Sequence, residues 1–279
     1  MQVQVGLELL LYMNNKKLNM MENRIDNKTF MRNVVYNNRT QNKVSFFLIT
    51  FGILFFISVI YYIFDGTVFY APIITQFLTV SIALFGLGGF FRAKDKLLKN
   101  YDRTTAYRIA FFRYHVTFIP FVYMGAIHSY FVHGISYCGG FWLFARLFIA
   151  AYLLITGITL HIKARKIFGL DNLFMYYVYH PNESNMVESI IHKIIRHPVY
   201  SAMNRIAWAG AFYNGHWIAF VLALLFTLNQ LLWLSIYEEP ELVERFGEGY
   251  LQFKKETPAL YPKIFRYSDF VKFLIGKKK

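Results

Sequence analysis

Residues 44–64 hold no Asp, Glu, Lys or Arg over 21 positions, and residues 68–91 hold none over 24 more. A helix needs roughly 20 apolar residues to cross a bilayer core, where each backbone polar group must be bonded within the protein. Both runs qualify as spans. Asp65-Gly66-Thr67 between them reads as a tight polar turn, making the pair a helical hairpin. A third span is predicted from near Ile109 to Val132, and a fourth over 141–160. Residues 206–237 are 32 positions without a formal charge, and a straight helix of that length would reach about 48 Å. Asn214-Gly215 breaks the run, giving one arm from near Tyr200 and a second from His216 to Tyr237. The predicted fold class is all-α, a polytopic transmembrane bundle of about five to six membrane helices.

Only 16% of the 279 residues are charged while 56% are hydrophobic, against about 25% charged in a soluble domain. That much apolar surface excludes intrinsic disorder. The single cysteine, Cys138, excludes a disulfide scaffold and a cysteine zinc cluster. No metal-ligand spacing relates the histidines, so no metal is expected. The net charge of +14 has a topological explanation. Of the 30 basic residues, 29 fall before residue 44, over 92–113, over 161–205 or after 237, and the intervening connections at 65–67, 134–140 and 214–215 contain none. The positive-inside rule then puts both termini in the cytoplasm, with the basic segments against anionic lipid and no role for nucleic acid. The expected regions are a cytoplasmic tail (1–43), a scaffold of four helices (44–160) and a catalytic region (161–279).

Two polar clusters flank the final hairpin. Ile195-Arg196-His197-Pro198-Val199-Tyr200 stands at the mouth of the fifth helix. Proline starts helices well because its missing N–H would go unpaired there anyway, and the free N–H groups of that turn can hold an acceptor; interface anchoring by Arg196 and His197 is the alternative. Tyr237-Glu238-Glu239-Pro240-Glu241-Leu242 ends the last helix. Carboxylates at the end of a span face a cavity or a partner rather than lipid; a solvated turn is the alternative. The two arms are antiparallel, so both clusters should meet on one side. Asn204 and Arg205, a turn into the fifth helix, suggest contact with an acceptor or a lipid phosphate, with snorkelling of Arg205 as the other reading.

Arg196-His197-Pro198-Val199-Tyr200, Gly210, Glu238-Glu239-Pro240-Glu241-Leu242 and Phe246-Gly247-Glu248-Gly249-Tyr250 together resemble the C-terminal signature of the isoprenylcysteine carboxyl methyltransferase and phospholipid methyltransferase superfamily, over roughly 186–262. The resemblance implies an integral membrane enzyme that takes S-adenosylmethionine from the cytosol and a lipophilic acceptor from the bilayer. It implies that His197, Pro198, Val199 and Tyr200 wrap the cofactor, that Glu238 and Glu239 bind its polar groups, and that Ser184, Asn185, Met186 and Val187 line its adenosine side. Ile190 and His192 stand where the family commonly has Gly-x-Tyr, and His192 can still hydrogen-bond the cofactor. Ala202 replaces a frequent glycine. Leu234 stands where prenylcysteine-type members carry an arginine, which weakens the case for a prenylcysteine carboxylate as acceptor and leaves an amine lipid or another lipophilic nucleophile more open.

Methyl transfer from a sulfonium is an in-line displacement that needs alignment and a dry site. Tyr200, Trp208 and Tyr237 are the candidate rings for cation–π contact with the sulfonium. Arg196, His197, Asn204 and Arg205 are the candidate catalytic residues, with His192 and the acids as further candidate bases. Two other classes compete: a sterol-type membrane reductase using NADPH, which cofactor binding would separate, and a non-catalytic polytopic protein. A transporter would place its paired polar residues at the midplane of broken helices, and here they lie at one face.

Overall fold

The computed structural model describes residues 39–132, 139–184 and 189–276. The chain is all-helical there. α1 (Arg39–Phe64) and α2 (Ala71–Arg92) form the expected hairpin. A short α3 (Lys94–Asn100) leads to α4 (Arg103–Ala110), which runs through a π-helical segment (Phe111–Val116) into α5 (Thr117–Ile127). α6 is Phe141–Leu173, α7 is Pro198–Asn214 and α8 is Trp217–Trp233. A second π-helical segment (Leu234–Glu238) joins α8 to α9 (Glu239–Phe246), and α10 (Glu248–Glu256) and α11 (Tyr267–Ile275) complete the chain.

Among the described residues, four helical stretches are long and apolar enough to cross a membrane: Phe47–Phe64, Ala71–Asn100, Phe141–Val178 and Trp217–Phe246. The protein is therefore a multi-pass membrane protein. The third predicted span is a composite instead, its helix interrupted by the π segment and carrying Pro120 inside α5. The fourth outruns its predicted end at Leu160, because a helix leaving hydrocarbon can continue through Lys163, Arg165 and Lys166. It is interrupted at Gly169, whose φ of 74° suits only glycine. The break at Asn214-Gly215 is where the structure turns. Gly215 has φ 75°, and a Cβ there would overlap the Arg146 guanidinium.

The exposure pattern is inside-out. Phe55, Tyr62, Phe85 and Phe148 are exposed, as lipid-facing side chains are, whereas Gln76, His128, Asn204 and Arg205 are buried. α6 and α7 form the most extensive helix pair. Gly157 permits it, since a Cβ there would sit 3.1 Å from the Ala202 carbonyl oxygen, the close approach that small residues allow between membrane helices.

At the Asp65 end of α2, a polar clasp ties four segments together. Asp65 in the α1–α2 turn lies 2.6 Å from His128 Nε2 and accepts from Thr75 at 2.6 Å. His128 Nδ1 meets Gln76 at 2.9 Å, and Gln76 donates to the Gly125 and Leu222 carbonyls. The other end of α2 carries Arg92, bonded to Tyr237, so the Glu238 site stands at the end opposite this clasp.

Candidate active site

Pro198 opens α7, and the residues before it are fixed by the tail. The Arg196 N–H donates to the Pro258 carbonyl at 2.9 Å and the His197 N–H to that of Ala259 at 3.1 Å. The Arg196 guanidinium donates to the Lys254 carbonyl (2.7 Å), the Thr257 carbonyl and Glu239 (2.8 Å). Glu239 also meets Lys254 Nζ at 2.7 Å and His197 Nε2 at 3.2 Å. The other nitrogen of His197, Nδ1, lies 3.3 Å from Glu238. Glu238 further accepts from Tyr200 and, at 3.1 Å, from Trp233 Nε1.

His197 thus stands between two acids. Burial works against its charge, but the hydrogen bonds and charges of Glu238 and Glu239 outweigh it and hold the imidazole pKa above its ordinary value. Burial, with His197 nearby, takes His192 the other way, down to about 4. His192 is therefore neutral at physiological pH, with Nδ1 bonded to Ser189 at 2.7 Å and its ring stacked on Phe168. Its Nε2 is buried without a partner among the described residues, as is the Tyr250 hydroxyl.

These groups surround a cleft walled by His192, Arg196, His197, Val199, Tyr200 and Glu238, by the end of α6 and its following turn, and by Glu241, Arg245 and Tyr250 beyond. A second cavity of about 520 Å³ adjoins it, largely aliphatic, between α2, α5, α6, α7 and α8. Leu173, Met175, Val199 and Tyr200 line both. Met175 is the one non-glycine residue with positive φ (55°) among those described, and such outliers persist where surrounding structure holds them, often at functional sites.

The structure brings together Arg196, His197, Pro198, Val199, Tyr200, Glu238 and Glu239, with His192 across the cleft. Pro198 and Glu239 stand behind the wall rather than on it. Ser184 bonds the Pro181 carbonyl at 2.7 Å and lines neither cavity. Asn185, Met186 and Val187 lie outside the described residues, as do His133 and Cys138.

Asn204 and Arg205 line neither cavity. Asn204 donates to Thr227 and Gln230 at 3.0 Å each and accepts from Tyr261 at 2.5 Å. Arg205 lies between the rings of Tyr261 and Phe270. Of the candidate cation–π rings, only Tyr200 lines a cavity. Trp208 bonds Thr227, and Tyr237 stacks on Phe91.

Reasoning from sequence missed the α6 side of the cleft (Phe168, Asn172, Met175, Tyr177) and the place of His115 and Arg165 on the second cavity. The available signal was Gly169, a helix breaker followed by Asp171 and Asn172.

The fold and site define a polytopic helical membrane protein with a cleft bearing ionisable side chains at one end and a largely aliphatic cavity beside it. Residues 145–249, from α6 into α10, match the family model of the phospholipid methyltransferases. Over that stretch the chain is similar to this family, part of the superfamily that includes the isoprenylcysteine methyltransferases, whose members are membrane methyltransferases that use S-adenosylmethionine. No curated protein and no solved structure matches.

Proposed function

We propose that the cleft around His192, His197, Tyr200 and Glu238 receives S-adenosylmethionine and that the adjoining apolar cavity receives the amine end of a phospholipid. The observation that carries this reading is the common wall of the two spaces at Leu173, Met175, Val199 and Tyr200. The cleft carries His197, Glu238, Glu241 and Arg245 on its wall, and the second cavity carries no carboxylate, as a charged water-soluble donor and a bilayer-soluble acceptor require. When bound, S-adenosylmethionine supplies a methyl group on a cationic sulfur for displacement by the amine.

The cleft's chemistry fits such a donor. His192 Nε2 and the Tyr250 hydroxyl are buried polar atoms awaiting partners, a costly state that a ligand relieves. Glu238 is the carboxylate on the wall suited to a ribose or an ammonium group. Glu239 fixes Arg196 and His197 behind it. The Tyr200 ring stands where the reacting atoms would meet and offers its face to positive charge. The aliphatic cavity strips water from the entering amine, disfavouring its ammonium form and so freeing the lone pair that attacks.

The reading extends to topology. Counting the composite helix 103–127 and α7 as inserted gives six membrane helices, with 44–160 as scaffold and 161–279 as the catalytic region. The one-sided distribution of Lys and Arg supports a cytoplasmic cleft and cytoplasmic termini.

The test uses full-length protein in vesicles containing phosphatidylethanolamine, with S-adenosylmethionine labelled in its methyl group. Label should enter the lipid, and Glu238→Gln should abolish transfer while membrane insertion persists. Unimpaired transfer by that variant would remove the site.

A further inference from the structure

Resting on that reading, the acceptor cavity carries a feature that the transfer itself does not use. We propose that Arg165 is the residue that holds the phosphate of the phospholipid acceptor. Of the residues lining the cavity, Arg165 alone bears a formal charge, and no carboxylate is among them. The other polar members are neutral: His115, buried in apolar surroundings, then Tyr123, Tyr200, Asn229 and Gln230. Among the described residues Arg165 forms no ion pair, unlike Arg196, Arg245 and Arg266. A cation so placed, unmatched by any acid of the protein, is complementary to an anion brought by the ligand.

Its position suits a lipid phosphate. Arg165 is exposed, and it shares the cavity's lining with Phe47 of α1 and Tyr123 of α5, both also exposed. These three exposed side chains come from three different helices, and Leu173, Met175, Val199 and Tyr200 of the same cavity form the wall shared with the cleft. His161, one turn earlier on the same helix face, has a buried Nδ1 without a partner and contacts Tyr123 edge-on, so a second polar group stands beside the guanidinium. Arg165 precedes the Gly169 break of α6 and Leu173 follows it, and both line this cavity, Leu173 on the wall shared with the cleft. The guanidinium would grip the phosphate at the rim, the amine would extend to Tyr200, and the acyl chains would leave between α1 and α5 into the bilayer.

The experiment compares wild type, Arg165→Gln and Arg165→Lys, each full-length in vesicles, with phosphatidylethanolamine or oleylamine, a primary amine without phosphate, as acceptor. For phosphatidylethanolamine, Arg165→Gln should raise KM about tenfold to a hundredfold, the range for losing a hydrogen bond to a charged group. Its kcat should stay within about twofold, Arg165→Lys should recover part of the loss, and the Kd for S-adenosylmethionine should be unchanged, which shows the variant folded. KM for oleylamine should not move, and millimolar inorganic phosphate should not compete. An unchanged KM for phosphatidylethanolamine, or an equal change for both acceptors, overturns the assignment. Competition by free phosphate would make this a phosphate-ion site and overturn the lipid assignment. If wild type methylates neither acceptor, the transferase reading falls; if it methylates phosphatidylethanolamine and Arg165→Gln behaves identically, only the phosphate grip falls.

Discussion

Trp233 Nε1 donates to Glu238, five residues further along the same run of helix, at 3.1 Å. In a regular α-helix side chains five apart do not face one another, because neighbours are three and four apart. The intervening residues form a π segment, Leu234–Glu238, whose wider turn aligns i with i+5. Pro240 follows at once and cannot donate to the α-helical ladder, so the wide turn sits where that ladder would have failed.

The π turn therefore aims the acid. Pro240 is exposed and lies off the cleft wall, yet Pro240→Ala should weaken S-adenosylmethionine binding by allowing the helix to tighten and rotate Glu238 away. Trp233→Phe, which removes one donor to a charged acceptor, should weaken it about tenfold. Titration of purified variants measures both, and an unchanged Kd for Pro240→Ala would show that the turn does not orient Glu238.

The two cleft histidines give stability opposite slopes with pH. His192 titrates near 4 when folded and near 6.5 when unfolded. The unfolded chain binds the extra proton in that window, so stability rises with pH from about 4 to about 6.5. His197 has a raised folded pKa, so its contribution is complete below about 6.5 and is lost as pH climbs through the folded value. Thermal unfolding across this range should show a maximum near 6.5. His192→Gln should flatten its acid side and His197→Gln its alkaline side.

Glu239 has two cationic partners of unequal worth. Arg196 is mostly buried and also donates to two tail carbonyls, whereas the Lys254 side chain is 44% exposed. Lys254→Ala should cost no more than about 1 kcal/mol. Arg196→Ala leaves a buried carboxylate short of a partner and should cost roughly 3–5 kcal/mol. Unfolding in a mild detergent distinguishes them, and equal losses would contradict this ranking.

Asn204→Ala removes the partner of Thr227, Gln230 and the Tyr261 hydroxyl. It should cost roughly 1–3 kcal/mol of stability and leave kcat unchanged in the folded fraction. A loss of kcat with full stability would place Asn204 in the reaction.

What could be read in the chain divides along physical lines. The spans at 44–64 and 68–91 and the turn at Asn214-Gly215 were legible because hydrocarbon tolerates no charge and reversals need special backbone. The meeting of Arg196, His197 and Tyr200 with the glutamate pair was legible because an antiparallel hairpin returns to its own starting level. For Asn204 and Arg205 only the need for a partner was legible, because a polar residue on an apolar arm signals a partner without naming it; the structure supplies Gln230, Tyr261 and Phe270. The α6 wall of the cleft was overlooked because its one cue, Gly169 ahead of Asp171 and Asn172, marks a break in the backbone rather than a site, and the backbone angle of Met175 leaves no pattern of side-chain polarity.

The backbone bonds from Arg196 and His197 to Pro258 and Ala259 carry a consequence for biosynthesis. The long apolar helices can enter the membrane as they emerge from the ribosome, but the turn before Pro198 has nothing to fasten to until residue 259 has emerged. A chain halted by a premature stop before that point would be an inserted bundle without a finished site. Competence arrives as a late, all-or-none event in translation.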